Sequence, residues 1–240
     1  MKKIPNIIIT LFSILVLVAC QNKKDQNKSA KIAYFGQLKT IMSGNIESVI
    51  HLDSLSNKKH LYALGASEQL KGEIQIFNSQ PSNSLVLDST LQIKDSYKIK
   101  AALLVYTEVE TWKEFTIENL TSKPDIEKKI VEIANQNGID TTLPFPFLLE
   151  GEIATLNWHV INWKENDKIH THQKHKTSGL RGVLENCNVK ILGFYSDKHK
   201  AIFTHHTTNM HLHFKNEANS LAGHVDDLTI KNSITLKLPK

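Results

Sequence analysis

The spacing of apolar positions changes character along the chain. Tyr34, Leu38, Ile41 and Met42 recur at helical spacing and stop at Gly44, which predicts a short helix. Asn45 is placed to cap a second, carrying Val49, Ile50 and Leu52. Strand-like runs rich in branched and aromatic residues follow at Leu61–Ala66, Gly72–Phe77, Ser84–Leu87 and Ala101–Tyr106. A clear helix comes next, with Asp125 as its cap, Ile126, Ile130, Ile133 and Ala134 on one face, and Gly138 as its stop. Residues 141–147, with Pro144 and Pro146, read as a linker or sharp crossing. Beyond it the pattern is that of strands: Leu148–Ile161, Asn188–Tyr195, Ala201–Thr204, Asn209–Phe214, His224–Ile230 and Ile234–Leu238. The first half thus mixes helices and strands, and the second is nearly all β.

The N-terminus reads as an address. Lys2 and Lys3 precede an apolar run from Ile7 to Val18, too short and one-sided for a transmembrane helix. It ends in Leu17-Val18-Ala19-Cys20, which resembles the bacterial lipobox. Residues 1–20 are then a lipoprotein signal, and Cys20 carries the acyl chains that anchor an exported protein to a membrane. An ordinary cleaved signal with an incidental cysteine is the alternative. Residues 21–31, QNKKDQNKSAK, are polar and aperiodic and read as a flexible tether. With Cys20 lipidated, Cys187 has no cysteine partner and reads as a structural thiol.

Charge changes the picture only once it is located. The 29 Lys+Arg and 24 Asp+Glu give a formal net charge of +5. Residues 1–31 hold six lysines and one aspartate, which accounts for the whole excess. The body from residue 32 onward is neutral, so nucleic acid is not an expected partner. Apolar residues make up 40% and charged residues 22%, as in an ordinary globular chain with enough length for a buried core. Two counts stand out: there are 12 histidines, and Arg181 is the only arginine.

The histidines carry the chemistry. In Met210-His211-Leu212-His213-Phe214, residues two apart share one face of a strand, so His211 and His213 point together and the apolar residues point away. The following KNEANSLAG is turn-like, which predicts a hairpin back to Ala222-Gly223-His224-Val225. A register with Phe214 opposite Gly223 puts His213 opposite His224. Directly opposed β-carbons lie roughly 4.5–5.5 Å apart, and the diagonal His211 is about 7–8 Å away. Three imidazoles then converge and leave coordination positions open, the catalytic rather than the structural pattern for zinc. His170, His172 and His175 sit among lysines in a polar loop and read as a solvated face. Of His205 and His206, only one can face the metal side.

These residues resemble those of bacterial α-acetolactate decarboxylase. The family carries G-Y-H-L-H-F followed by G-G-H-V, at the spacing of Met210–Phe214 and Ala222–Val225. Further likenesses are collinear over roughly residues 34–230: Leu38–Leu55, Tyr62-Ala63-Leu64-Gly65 with Leu70-Lys71-Gly72-Glu73-Ile74, Leu103–Tyr106, Phe147–Gly151 and Leu192-Gly193-Phe194. The resemblance implies a two-domain α/β fold, with a mixed-sheet domain over residues 32–147 and a smaller, mostly-β, zinc-bearing domain over 148–240. It implies zinc held by His211, His213 and His224, with Glu73 as the active-site glutamate. The implied substrate is 2-acetolactate or a close 2-hydroxy-3-oxo acid, decarboxylated to acetoin, and a homodimer is compatible with it. Zinc would act as a Lewis acid for the charge left when carbon dioxide departs, and a protonated Glu73 would supply the proton.

At two positions the sequence departs from the family pattern. Ala66 stands where the family has a threonine, and His159 where it has an arginine, which makes Arg181 the sole other guanidinium available. His159 and Arg181 are therefore both candidates for the arginine's role. Two function classes remain in play: a zinc decarboxylase, and a non-catalytic zinc- or ligand-binding lipoprotein on the same scaffold.

Overall fold

The computed structural model describes residues 30–240. The signal, Cys20 and most of the tether fall outside the described residues. The tether's last two residues are held: Ala30 packs on the core, and the Lys31 carbonyl accepts a hydrogen bond from Thr107 Oγ1 at 3.1 Å.

In chain order the elements are β1 (Ala33–Phe35), α1 (Leu38–Met42), β2 (Ile50–His51), β3 (Leu61–Ser67), β4 (Gly72–Phe77), β5 (Gln80–Pro81) and β6 (Asn83–Leu87). Then come β7 (Thr90–Lys94), β8 (Lys100–Glu108), β9 (Trp112–Leu120), α2 (Lys123–Gln136) and β10 (Phe145–Val160). The chain ends with α3 (His172–Thr177), β11 (Leu180–Tyr195), β12 (Met210–Asn216) and β13 (Ala222–Pro239). They form two sheets. The first runs β1-β8-β3-β4-β6-β7, with β2 on β8 and β5 on β4. The second runs β10-β11-β12-β13-β9, and β10 also pairs with β13, so four strands close into a ring.

The chain is mostly β rather than α/β, and the first sheet is antiparallel rather than mixed: every pairing in it, from the β3–β4 and β6–β7 hairpins to the long-range β3–β8 and β1–β8 contacts, runs antiparallel. Its central strands are buried on both faces. Leu61, Ala63, Ile74 and Ile76 pack outward with Leu52 and Leu104. Tyr62, Leu64 and Phe77 face the second sheet and meet Leu148, Leu192 and Phe194. A third cluster joins β9–β13 to the apolar face of α2, formed by Ile126, Ile130, Ile133 and Ala134.

Several local expectations need correction. β9 pairs with β13 and α2 packs on the same sheet, so the sheets part in sequence between β8 and β9, ahead of the boundary expected at residue 147. Pro146 lies within β10 opposite Phe194, so the expected linker ends at Pro144 and its last three residues are strand. Ser122, not Asp125, caps α2; its Oγ accepts the Asp125 N–H at 3.2 Å. Asn45 starts no α-helix: Ile50 joins β2, and Leu52–Leu55 form a single 3-10 turn. Residues 201–204 are a turn rather than a strand. The loop read as a solvated histidine face contains α3, capped by Thr171. It is pinned by buried Trp163, which stacks on His170 at 4.3 Å and meets the edge of His175 at 4.8 Å.

Candidate metal centre

The β12–β13 hairpin has the expected register, with Phe214 opposite Gly223 and His213 opposite His224. Because β13 also pairs with β10, the rung continues: His224 faces His159, and His159 faces Arg181 on β11. Gly223 permits this close pairing, since a Cβ there would lie 2.7 Å from the His159 carbonyl oxygen.

One nitrogen from each of His211, His213 and His224 falls within a 4.8 Å group. The ring centroids form a nearly equilateral triangle of 5.0, 5.2 and 5.3 Å. His211 Nε2 lies 3.2 Å from His213 Nε2. Two nitrogens on one tetrahedral zinc at 2.0–2.1 Å would be about 3.3 Å apart, so the pair has the separation that zinc requires.

The tautomer of His213 is fixed from the other sheet. On β4, Glu73, Gln75 and Phe77 share the inward face. Gln75 is fully buried, and its Nε2 donates to the Ser82 carbonyl and to Ser84 Oγ at 2.9 Å. Its amide oxygen is left to accept from His213 Nδ1–H at 3.0 Å. That leaves the His213 Nε2 lone pair for a ligand, the support that metal-binding histidines need. Burial also keeps the rings neutral. It pushes His211 down to about 3, aided by Lys123 and His159 and opposed by the Phe203 backbone. His213 and His224 are held well below the ordinary histidine value, first by burial and then by neighbouring rings. His224 Nδ1 is buried without a hydrogen-bond partner. Neutral, convergent imidazoles with an unpaired buried nitrogen fit a zinc ion.

Glu73 comes to the same point. It is 4% exposed, with Oε2 3.7 Å from His213 Nε2 and Oε1 accepting the Ile161 N–H at 3.2 Å. Burial raises its pKa well above the ordinary carboxyl value, with the Ile161 N–H opposing and the Asp226 charge adding to the rise. Burial thereby favours the acid form over the carboxylate. Segment 161–163 is docked here by Trp163 N–H to the Leu70 carbonyl at 2.9 Å and by Lys71 Nζ to the Trp163 carbonyl at 2.7 Å.

His159 is also at the centre, with Nε2 3.8 Å from Glu73 Oε1 and Nδ1 3.0 Å from Asp226 Oδ2. Asp226 in turn holds Lys176 Nζ at 3.1 Å. Burial favours protonation of Asp226, but His159 and Lys176 outweigh it and lower its pKa. Arg181 is not brought in. It shares the rung with His159 but is exposed and does not line the cavity. Ala66 pairs with Glu73 and lines the cavity, presenting a methyl group.

The cavity over this centre has a volume of about 600 Å³. Its wall includes Lys123, Lys176 and Asp226, which the sequence pattern did not single out, together with His172 and His175, expected on a solvated face, and His205 of the adjacent histidine pair. Asp226 was findable, lying two positions beyond His224 on the same strand face. The α3 residues gave no such signal, because a six-residue helix shows little periodicity.

A sequence profile described as Alpha-acetolactate decarboxylase matches residues 32–239. The chain belongs to the alpha-acetolactate decarboxylase family. No curated protein matches its sequence. Among solved structures, alpha-acetolactate decarboxylase from Bacillus subtilis strain 168 is similar at a TM-score of 0.70 and 17% identity, over 87% of this chain and 85% of the other. Acetolactate decarboxylase from Bacillus subtilis subspecies spizizenii gives 0.71 and 17%, over 87% and 86%. A Staphylococcus aureus protein of unknown function, described as similar to alpha-acetolactate decarboxylase, gives 0.69 and 15%, over 86% and 84%. At these identities the likeness to the acetolactate decarboxylases establishes the fold. Chemistry must be argued from this chain's own residues.

Proposed function

We propose that the protein is a zinc-dependent lyase that decarboxylates 2-acetolactate to acetoin and carbon dioxide. One observation carries this reading: a buried glutamate biased to its acid form lies 3.7 Å from a nitrogen of a three-histidine centre. When bound by His211, His213 and His224, zinc supplies a Lewis acid for the negative charge left as carbon dioxide departs. Glu73 donates its proton to the carbon that has lost the carboxylate and is recharged from water. Net charge balances, because one proton and one acetolactate anion become two neutral products. His159, tied through Nδ1 to Asp226, walls the site beside Glu73 and directs Nε2 inward. Apolar Leu70, Leu103 and Ile161 line the same cavity and limit the water that competes for the developing charge.

The same proposal includes export and a lipid anchor on Cys20, which would present the cavity to substrate outside the cytosol. The test is to load the purified protein with zinc, add racemic 2-acetolactate and measure acetoin. Zinc-dependent acetoin formation is expected. Stoichiometric zinc without acetoin would overturn the catalytic reading and leave a zinc-binding lipoprotein, the class that Ala66 and His159 at two family motif positions would favour.

A further inference from the structure

Four lysines line the metal cavity, and they are not equivalent. Lys128 and Lys200 are exposed, and Lys176 is ion-paired with Asp226. Lys123 begins α2 and turns inward, its Nζ donating to the Asp226 backbone carbonyl at 3.2 Å. Among the described residues it forms no ion pair, and no side chain accepts from it. The neighbouring carboxylates are engaged elsewhere. Asp226 holds His159 and Lys176, Glu127 holds Thr208 and Asn209, and Asp227 accepts the Leu228 N–H. Burial lowers the Lys123 pKa, opposed by the charges of Asp226, Asp227 and Glu127. A half-buried ammonium with only a peptide carbonyl for company favours an incoming anion.

The other candidates for that role are poorly placed. His159 already faces two carboxyl groups, Asp226 at 3.0 Å and Glu73 at 3.8 Å, so a third would be repelled there. Arg181 lies outside the cavity wall.

We propose that Lys123 is the carboxylate-binding residue of this cavity, holding a small 2-hydroxy acid anion by its charged end beside the histidine centre. The inference rests on the reading of the site given above and names the group that replaces the family's arginine. A lysine holds the carboxylate as a point charge rather than through a two-pronged fork. The contact belongs mainly to the bound substrate, because its negative charge leaves the carboxylate as carbon dioxide forms. Removing it should therefore raise KM without lowering kcat.

The test compares zinc-loaded wild type with Lys123→Met and Lys123→Arg by calorimetry. The probes are 2-hydroxy-2-methylpropanoate, an anion that cannot follow the reaction, and neutral acetoin. Lys123→Met should weaken the anion by about tenfold or more, with acetoin affinity and zinc content unchanged within about twofold. Lys123→Arg should keep the anion within about fivefold. On acetolactate, Lys123→Met should raise KM by about tenfold while kcat does not fall. If Lys123→Met does not fold, Lys123→Gln carries the same comparison. Anion affinity indifferent to Lys123, or no anion binding by wild type at millimolar concentration, overturns the proposal. Acetoin formation with Lys123-independent binding removes this subsite and keeps the decarboxylase. Lys123-dependent anion binding without acetoin does the reverse.

Discussion

Two groups of histidines meet at one cavity and differ in what holds them. His211, His213 and His224 stand on paired strands whose register fixes their spacing, and Gln75 of the opposite sheet locks one tautomer. The mouth group, His172, His175 and His205, sits on α3 and in a loop, where the rings pack on one another, on neighbouring His170 or on Trp163. His170 Nδ1 and His175 Nε2, 2.9 Å apart, satisfy each other. Rings spent on one neighbour, as His170 and His175 are, make a wall, whereas three rings that converge on one point, as His211, His213 and His224 do, make a centre. Backbone hydrogen bonding, more than the number of histidines, separates the two.

The largest expected effect breaks that comparison directly. Replacing His211 and His213 together by alanine should abolish stoichiometric zinc, and replacing His172 and His205 should leave zinc affinity within about twofold, both measured by metal analysis after dialysis. Retained zinc in the first pair would dissolve the distinction. Next, Glu73→Gln should lower decarboxylation by roughly 10²–10⁴-fold while zinc stays bound. An equal loss of zinc would make Glu73 a ligand rather than an acid. Gln75→Leu frees His213 from its partner and should cost roughly 10–100-fold in zinc affinity, read by competition with a chelating dye.

The smallest effect belongs to the mouth. Burial, with help from His170 and His172, pulls His175 down to about 4. The unfolded chain takes up this proton near pH 6.5, so the contribution to stability is present above that value and is lost as pH falls toward 4. Urea unfolding of zinc-loaded His175→Gln should lose less stability than wild type over that window, by roughly 1–2 kcal/mol once solvent screening is allowed for. Parallel curves would show that His175 titrates as in water.

Much of the centre was legible in the sequence because a β hairpin converts spacing into geometry. His211 and His213 share a face by alternation, and the turn-like stretch after Phe214 brings His224 across. Strands such as Gly72–Phe77 were legible for the same reason. Glu73 alone would pass for an exposed hairpin residue; a second sheet covering that face buries it, and no local pattern encodes such a layer. β9 was harder still. Lys113, Glu114 and Glu118 interrupt its apolar positions because it is an edge strand with one wet face, and its partner β13 lies more than a hundred residues away. The α/β expectation failed similarly. Short apolar runs gave strand positions without strand directions, and direction separates mixed from antiparallel sheets. Lys123 gave no signal, since a lysine at the start of a helix looks solvated until the far strand reaches it.

We propose that this rung of strands builds an open, nitrogen-liganded zinc centre. X-ray absorption at the zinc edge of the loaded protein tests it most directly. Three imidazole nitrogens at roughly 2.0–2.1 Å, with the remaining positions filled by oxygen, is the predicted result. A sulfur ligand from Cys187, or the same spectrum from a His211→Ala/His213→Ala variant, would contradict it.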